Sequence, residues 1–188
     1  MITVKDWLED LVSVTDEEWL AIQAITETNA LKANEVIVQQ GRPADKIGLL
    51  VQGAVRTFFT DTNGHEKVVN FSFEGEPLIL MDSFFNQMPS AVSSVTLEPS
   101  VVIWTDLARY SAFVAQYPRY NAVLISALSR WFAEGKSRME YLHQPSAAGR
   151  YAAMCALHPK INERVPLKYI ASYLSITQAT LSRIRAKR

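Results

Sequence analysis

The 188-residue sequence predicts an α+β chain: a β-roll in its first half with helices on its flanks, then one long helix, then a small all-helical end. Three observations predict it. Between Val36 and Trp104 short apolar runs are separated by Gly, Pro, Asn and Asp at close spacing, the pattern of a sandwich or barrel of short strands. After Tyr117-Pro118 the apolar repeat lengthens to that of a helix. The charge is also segregated. The formal total is zero, yet residues 160–188 hold seven Lys or Arg against one acid, Glu163.

A 48 % hydrophobic content supplies a sizeable core. No apolar run approaches the roughly eighteen residues of a membrane span. The opening MITVKDWLEDLVSV places acids where a secretory signal needs a basic start. The expected location is the cytoplasm, without membrane contact. A single cysteine, Cys155, excludes an internal disulfide and the multi-thiolate zinc or iron–sulfur sites, and reads as a small buried hydrophobe.

In chain order, Thr15 and Glu18 form a capping-box pair ahead of Trp19, Leu20, Ile22 and Ile25, predicting a helix over 15–25. The runs at 36–38, 47–51, 54–59, 68–73, 91–97 and 101–104 are the predicted strands, with Asp61-Thr62-Asn63-Gly64 as a hairpin loop. From Tyr120 to Leu142 a long apolar stripe precedes His143-Gln144-Pro145. It reads as the seam of a helix pair between two subunits, on Val123, Leu124, Ala127, Leu128, Trp131 and Met139, or as a cap over the sheet. Gly135 is a weak point in that seam. A further helix is predicted from Ser146 to Leu157, stopped by Pro159. The chain therefore divides into 1–117 as an effector-binding-like roll with its first helix, 118–144 as the dimerisation helix, and 145–188 as the terminal helical domain.

The last 22 residues, LKYIASYLSITQATLSRIRAKR, carry the functional signal. Leu167, Ile170, Ala171 and Leu174 give one short helix its buried stripe, with Pro166 at its start. Ser175 and Ile176 interrupt it, Thr177 caps a second helix, and Leu181 and Ile184 form that helix's inner face. The outer face then holds Ala179, Ser182, Arg183 and Ala186, flanked by Gln178, Arg185 and Lys187. A slim, acid-free rod of this kind fits a DNA major groove ~12 Å wide. Glutamine pairs bidentately with adenine and arginine with guanine, so Gln178 and Arg183 are the expected base readers. Thr177, Thr180, Arg185, Lys187 and Arg188 suit phosphate. An ordinary helical hairpin closing a domain has the same periodicity.

The order of elements resembles the CRP/FNR family of bacterial transcription regulators over nearly the whole chain. The matching stretches are GRPADKIGLLVQGAVRTF (41–58), FEGE (73–76) and, most specifically, IASYLSITQATLSRI (170–184). The resemblance implies a cyclic nucleotide-binding-like double-stranded β-roll, a dimerisation helix and a helix-turn-helix whose positions Gln178, Ala179 and Arg183 face bases. It implies a homodimer on double-stranded palindromic DNA, with RNA polymerase as a further partner. Ala179 stands where a glutamate is frequent, which alters the expected target sequence. The sequence stops at Arg188, where many members continue into a wing.

The resemblance also marks the effector cassette, here PLILMDSFFNQMPSAVSSVTL (77–97). Family members that bind cyclic nucleotides carry a Gly-Glu pair for the ribose and an Arg with Ser or Thr for the phosphate. Those corners fall here near Ile79-Leu80 and Pro89-Ser90-Ala91, and the cassette holds no Arg, Lys or Glu. A desolvated phosphate without a cation or dense donors is penalised by several kcal/mol. The expectation is therefore no cofactor and no binding of cAMP or cGMP, with Phe73, Leu80, Met81, Ser83, Ser90 and Ala91 around whatever other effector the roll takes, if it takes one. The apolar cassette residues Leu78 to Met88 either surround such an effector or pack on themselves. His65, His143 and His158 are expected as solvated surface residues. No phosphate-cradling glycine loop, G-x-S-x-G or H-E-x-x-H occurs, so an enzyme is not expected. The rival class is a cupin-like small-molecule or metal-binding roll without DNA binding.

Overall fold

The computed structural model of the chain describes residues 3–186, apart from the side chains of residues 82, 134 and 141. Residue contacts divide it into two units, 1–57 with 71–128, and 58–70 with 129–188.

The first unit opens with two short helices, α1 (Val4–Glu9) and α2 (Asp16–Ile25). Each begins with a complete capping box, Thr3 with Asp6 and Thr15 with Glu18, so the first backbone N–H groups are satisfied locally. Thr15 N donates to Glu18 at 2.9 Å, and Arg119 pairs with the same carboxylate. Leu8 and Ile22 from these helices, with Phe113 and Tyr120, form a buried cluster.

Eight strands follow: β1 (Glu27–Leu31), β2 (Val36–Val38), β3 (Lys46–Gln52), β4 (Val55–Thr60), β5 (Glu66–Ser72), β6 (Pro77–Leu78), β7 (Ser93–Thr96) and β8 (Ser100–Asp106). They form two four-stranded sheets, ordered β1-β8-β3-β6 and β2-β7-β4-β5. Leu50, Val55, Val102 and Trp104 are a core cluster of the roll. On β8 the alternation of Ser100, Val102 and Trp104 inward produces that core. Gly48 pairs directly with Trp104 across β3 and β8. A Cβ on Gly48 would lie 2.5 Å from the Trp104 ring, so the indole can lie flat only over a residue without a side chain.

Strands β2, β3, β4, β5, β7 and β8 fall on the six apolar runs. Strands β1 and β6 do not announce themselves in the sequence. ETNAL is fully polar at its start and pairs with β8 from Glu27 opposite Trp104 to Leu31 opposite Ser100, while β6 is only two residues long. Three helices of the first unit are likewise unannounced: α1, α3 (Met81–Asn86) inside the cassette, and α4 (Leu107–Gln116), which Asp106 caps by accepting from Arg109 N at 2.8 Å. In the hairpin loop Asp61 Oδ1 accepts from the amides of Asn63 (2.9 Å) and His65 (3.0 Å), and Gly64 takes the positive φ of 80°.

Helix α5 (Asn121–Leu142) follows a 3₁₀ turn at Pro118–Tyr120 and runs unbroken through Gly135. Next come α6 (Ala147–Leu157), with Ser146 as its cap, the single turn α7 (Ile161–Arg164), α8 (Leu167–Tyr173) and α9 (Gln178–Ala186). Ile170, Leu174, Leu181 and Met154 are completely buried here, and Tyr151, Ile161 and Val165 nearly so. Residues 58–70, the outer part of the β4–β5 hairpin, belong to this second unit. The Ser172 hydroxyl accepts from Val68 N (3.0 Å) and donates to the Glu66 carbonyl (3.2 Å). Arg138 reaches the Val68 and Tyr173 carbonyls, each at 3.4 Å, with its guanidinium over the Tyr173 ring.

Two expectations for single residues change. Cys155 is only half-buried, and its Sγ accepts from Asn162 Nδ2 at 3.4 Å. His65 and His143 are exposed, but His158, the C-cap of α6, is half-buried.

Burial lowers the His158 pKa from the ordinary 6.5. The folded state then binds fewer protons than the unfolded one between the two values. Its stability is complete above about pH 6.5 and is lost as the pH falls from there toward the depressed folded value. Urea midpoints followed by helix signal between pH 8 and pH 5 should therefore fall less steeply in His158→Gln than in the parent chain.

Candidate DNA-reading face and effector cassette

In α8 and α9 the turn geometry fixes which side of α9 is outside. Ile176 N donates to Ala171 O and Ser175 N to Ser172 O, both at 3.0 Å, and Ser175 adopts the left-handed φ of 55°. The chain thereby passes from α8 to α9 in the four residues 174–177. Thr177 Oγ1 accepts from Thr180 N at 3.1 Å and donates to Thr180 Oγ1 at 2.9 Å, capping α9 where no carboxylate stands.

From that start Leu181 is directed into the core at 0 % exposure and Ile184 is half-buried. Gln178, Ala179, Ser182, Arg183, Arg185 and Ala186 are all exposed. Arg183 lies back along its own helix, its Nε 3.4 Å from Ala179 O and its Nη2 3.4 Å from Thr180 Oγ1. Thr177 is exposed at the turn, while Thr180 is half-buried and its hydroxyl is engaged by both Thr177 and Arg183. Lys187 and Arg188 lie outside the described residues. The outward face of α9 is thus small, hydrogen-bonding and cationic, and acids are absent from its length.

The proposed effector residues are less united. Phe73, Leu80 and Met81 are half-buried, Ser83 and Ser90 are buried, and Ala91 is exposed. The hydroxyls are already engaged. Ser83 Oγ accepts from Ala44 N and donates to Met88 O, both at 2.6 Å. Ser90 Oγ donates to Val92 O at 2.7 Å. Ser93 Oγ accepts from Gln40 N at 2.9 Å, and Ser94 Oγ meets Thr57 Oγ1 at 3.0 Å. These serines tie the cassette to its neighbouring strands. Phe84 is fully buried edge-on to Phe85, whereas Phe85 and Met88 remain exposed, so the apolar cassette packs only partly on itself. A charged residue that periodicity alone does not single out is also buried: Arg56, 6 % exposed on β4. Its only signal is a lone cation in the middle of AVRTFF.

The seam residues on α5 need correction. Val123, Leu124 and Ala127 do not face outward; they line the space under α1, α2 and α4, and Ala127 is buried there. Exposed instead are Ile125, Phe132 and Met139, at 62, 71 and 64 %, and Trp131 at 46 %. Leu128 is half-buried. The helix carries two apolar stripes, and sequence periodicity merges them.

Among the described residues no three His, Cys, Asp or Glu side chains come together as metal ligands. No helix among them is long and apolar enough to cross a membrane.

Comparison with known proteins agrees with this architecture. Residues 28–117 match the family model of the cyclic nucleotide-binding domain. The transcriptional activator protein Anr of Pseudomonas protegens is 24 % identical over 165 residues, 82 % of this chain and 67 % of that protein. FixK2 from Bradyrhizobium japonicum superposes with a TM-score of 0.74 at 17 % identity, covering 87 % of this chain and 84 % of that one. The c-di-GMP-responsive global regulator CLP of Xanthomonas campestris gives the same TM-score at 15 % identity, covering 92 and 91 %. The chain thus shares the fold of FixK2 and CLP, with the stretch similar to the cyclic nucleotide-binding domain at residues 28–117.

Proposed function

We propose that the protein is a DNA-binding transcription regulator of the CRP/FNR type, acting as a homodimer whose two α9 helices enter successive major grooves of an imperfect palindrome, ~34 Å apart. The observation that carries this reading is the complete burial of Leu181 beside the exposure of Gln178, Ala179, Ser182 and Arg183. That arrangement turns hydrogen-bonding side chains toward solvent on a helix slim enough for a groove. In this reading the roll at 1–117 houses the effector cassette, the helix at 118–144 joins the two subunits, and the domain at 145–188 holds DNA.

The dimer seam in this reading runs along Ile125, Leu128, Phe132, Gly135, Met139 and Leu142. These positions alternate three and four apart, as the a and d sites of a coiled coil do. Gly135, whose added Cβ would meet nothing within 4 Å, lets the partner backbone approach closely. The roll takes no cyclic nucleotide, because its buried serines are held by backbone partners and its cassette supplies no cation.

Selection from random duplexes should yield palindromic half-sites. Arg183→Ala should relax preference at one position per half-site, costing ~1–3 kcal/mol there, whereas Arg185→Ala should weaken all sequences alike and reduce the salt slope. Equal losses on every sequence for both variants would sink the assignment of reader and anchor. Phe132→Lys should shift sedimenting dimers to monomers at micromolar concentration and lower operator affinity at least tenfold, with the helix signal retained. Calorimetry with cAMP and cGMP should register no binding at micromolar ligand; a saturable isotherm there would overturn the account of the cassette.

A further inference from the structure

The first unit holds a partly open cavity of about 150 Å³ that the regulator reading does not use. Its walls come from α1, α2, strands β3, β6 and β8, α4, and the first two turns of α5. Those walls are almost entirely apolar, and five of the lining residues are aromatic: Trp7, Trp104, Tyr110, Phe113 and Tyr120. An apolar cavity of about this volume stays dry and takes up a benzene-sized molecule.

The polar groups in the wall narrow the ligand further. Thr26 donates to the Ile22 carbonyl at 2.9 Å and Trp7 Nε1 to the Gly75 carbonyl at 2.9 Å, so both are occupied. The Tyr120 hydroxyl lies beside the Arg119–Glu18 pair. The Tyr110 and Tyr120 hydroxyls are both buried without a hydrogen-bond partner, and of the two only Tyr110 has no charged group beside it. Burial raises its pKa, so it stays a neutral donor. A buried hydroxyl without a partner destabilises the folded chain, and a ligand oxygen that accepts from it relieves that penalty.

We propose that this cavity is a binding site for a small, neutral, single-ring aromatic molecule bearing one hydrogen-bonding oxygen, of the phenol class, whose oxygen accepts from Tyr110. The ring lies among the aromatic edges, and Val123, Leu124 and Ala127 of α5 form one wall against it. Because α5 also carries the proposed dimer seam, an occupant would brace that helix. This second step rests on the regulator reading; the binding step does not.

The test titrates the full chain with phenol and with benzene, read by the methyl resonances of Ile47, Ile103, Val123 and Leu124 and needing no DNA. Both probes should saturate with shifts centred on those methyls. Tyr110→Phe should weaken phenol roughly threefold to tenfold and leave benzene unchanged. Ala127→Leu should weaken both at least tenfold. Absence of saturable shifts with the folded parent chain, shifts centred elsewhere, or equal phenol affinity in the parent and Tyr110→Phe would each overturn the proposal. Operator binding measured separately, without either probe, tests the regulator reading alone.

Discussion

A helix can bury one stripe against its own subunit, and α5 carries two. Its first turns commit Val123, Leu124 and Ala127 to the helices and sheet of the first unit. Further round the same helix Ile125, Phe132 and Met139 stand in solvent at more than 60 % exposure each. Side chains of that size at regular spacing are a large exposed apolar surface, and such surfaces mark association. Both the proposed dimer and the cavity follow from how α5 divides its apolar residues.

Much of this was legible in the sequence, and the reason is periodicity. Strands at 36–38 and 47–51, the α2 capping box, and the pair α8–α9 each rest on signals contained within about ten residues. The turn between α8 and α9 is of the same kind, since Ser175, Ile176 and Thr177 fix it through bonds to Ala171, Ser172 and Thr180. Strand β1 was not legible because ETNAL gains its conformation from β8, which is distant in the chain. Helix α3 sits within a run that reads equally as apolar loop. The stripe on α5 divides for a related cause: a helical period gives the stripe's spacing, and only tertiary packing says which of its residues lie inside.

The proposed effector cassette, residues 77–97, differs in a chemically consistent way from what a cyclic nucleotide site requires. Where a cyclic nucleotide would need donors and a cation, this chain has serines whose hydroxyls close loops onto neighbouring strands. Ser83 links Ala44 to Met88, and Ser93 holds Gln40. Freeing such a hydroxyl for a ligand would leave a buried backbone group without its partner, which is the ground for the proposal that the roll takes no cyclic nucleotide. The aromatic cavity under α1 and α2 shares Trp104 with the core cluster of Leu50, Val55 and Val102, and is built without that constraint.

The hairpin between β4 and β5 is continuous with the roll in sequence yet keeps company with the carboxy-terminal helices, through Ser172, Arg138 and the buried Val68. Excising the roll as a shorter polypeptide would therefore strip the cover from Val68 and leave a greasy, half-satisfied ribbon at its edge. Whoever dissects this protein into pieces will find that the natural cut does not run through one point of the chain.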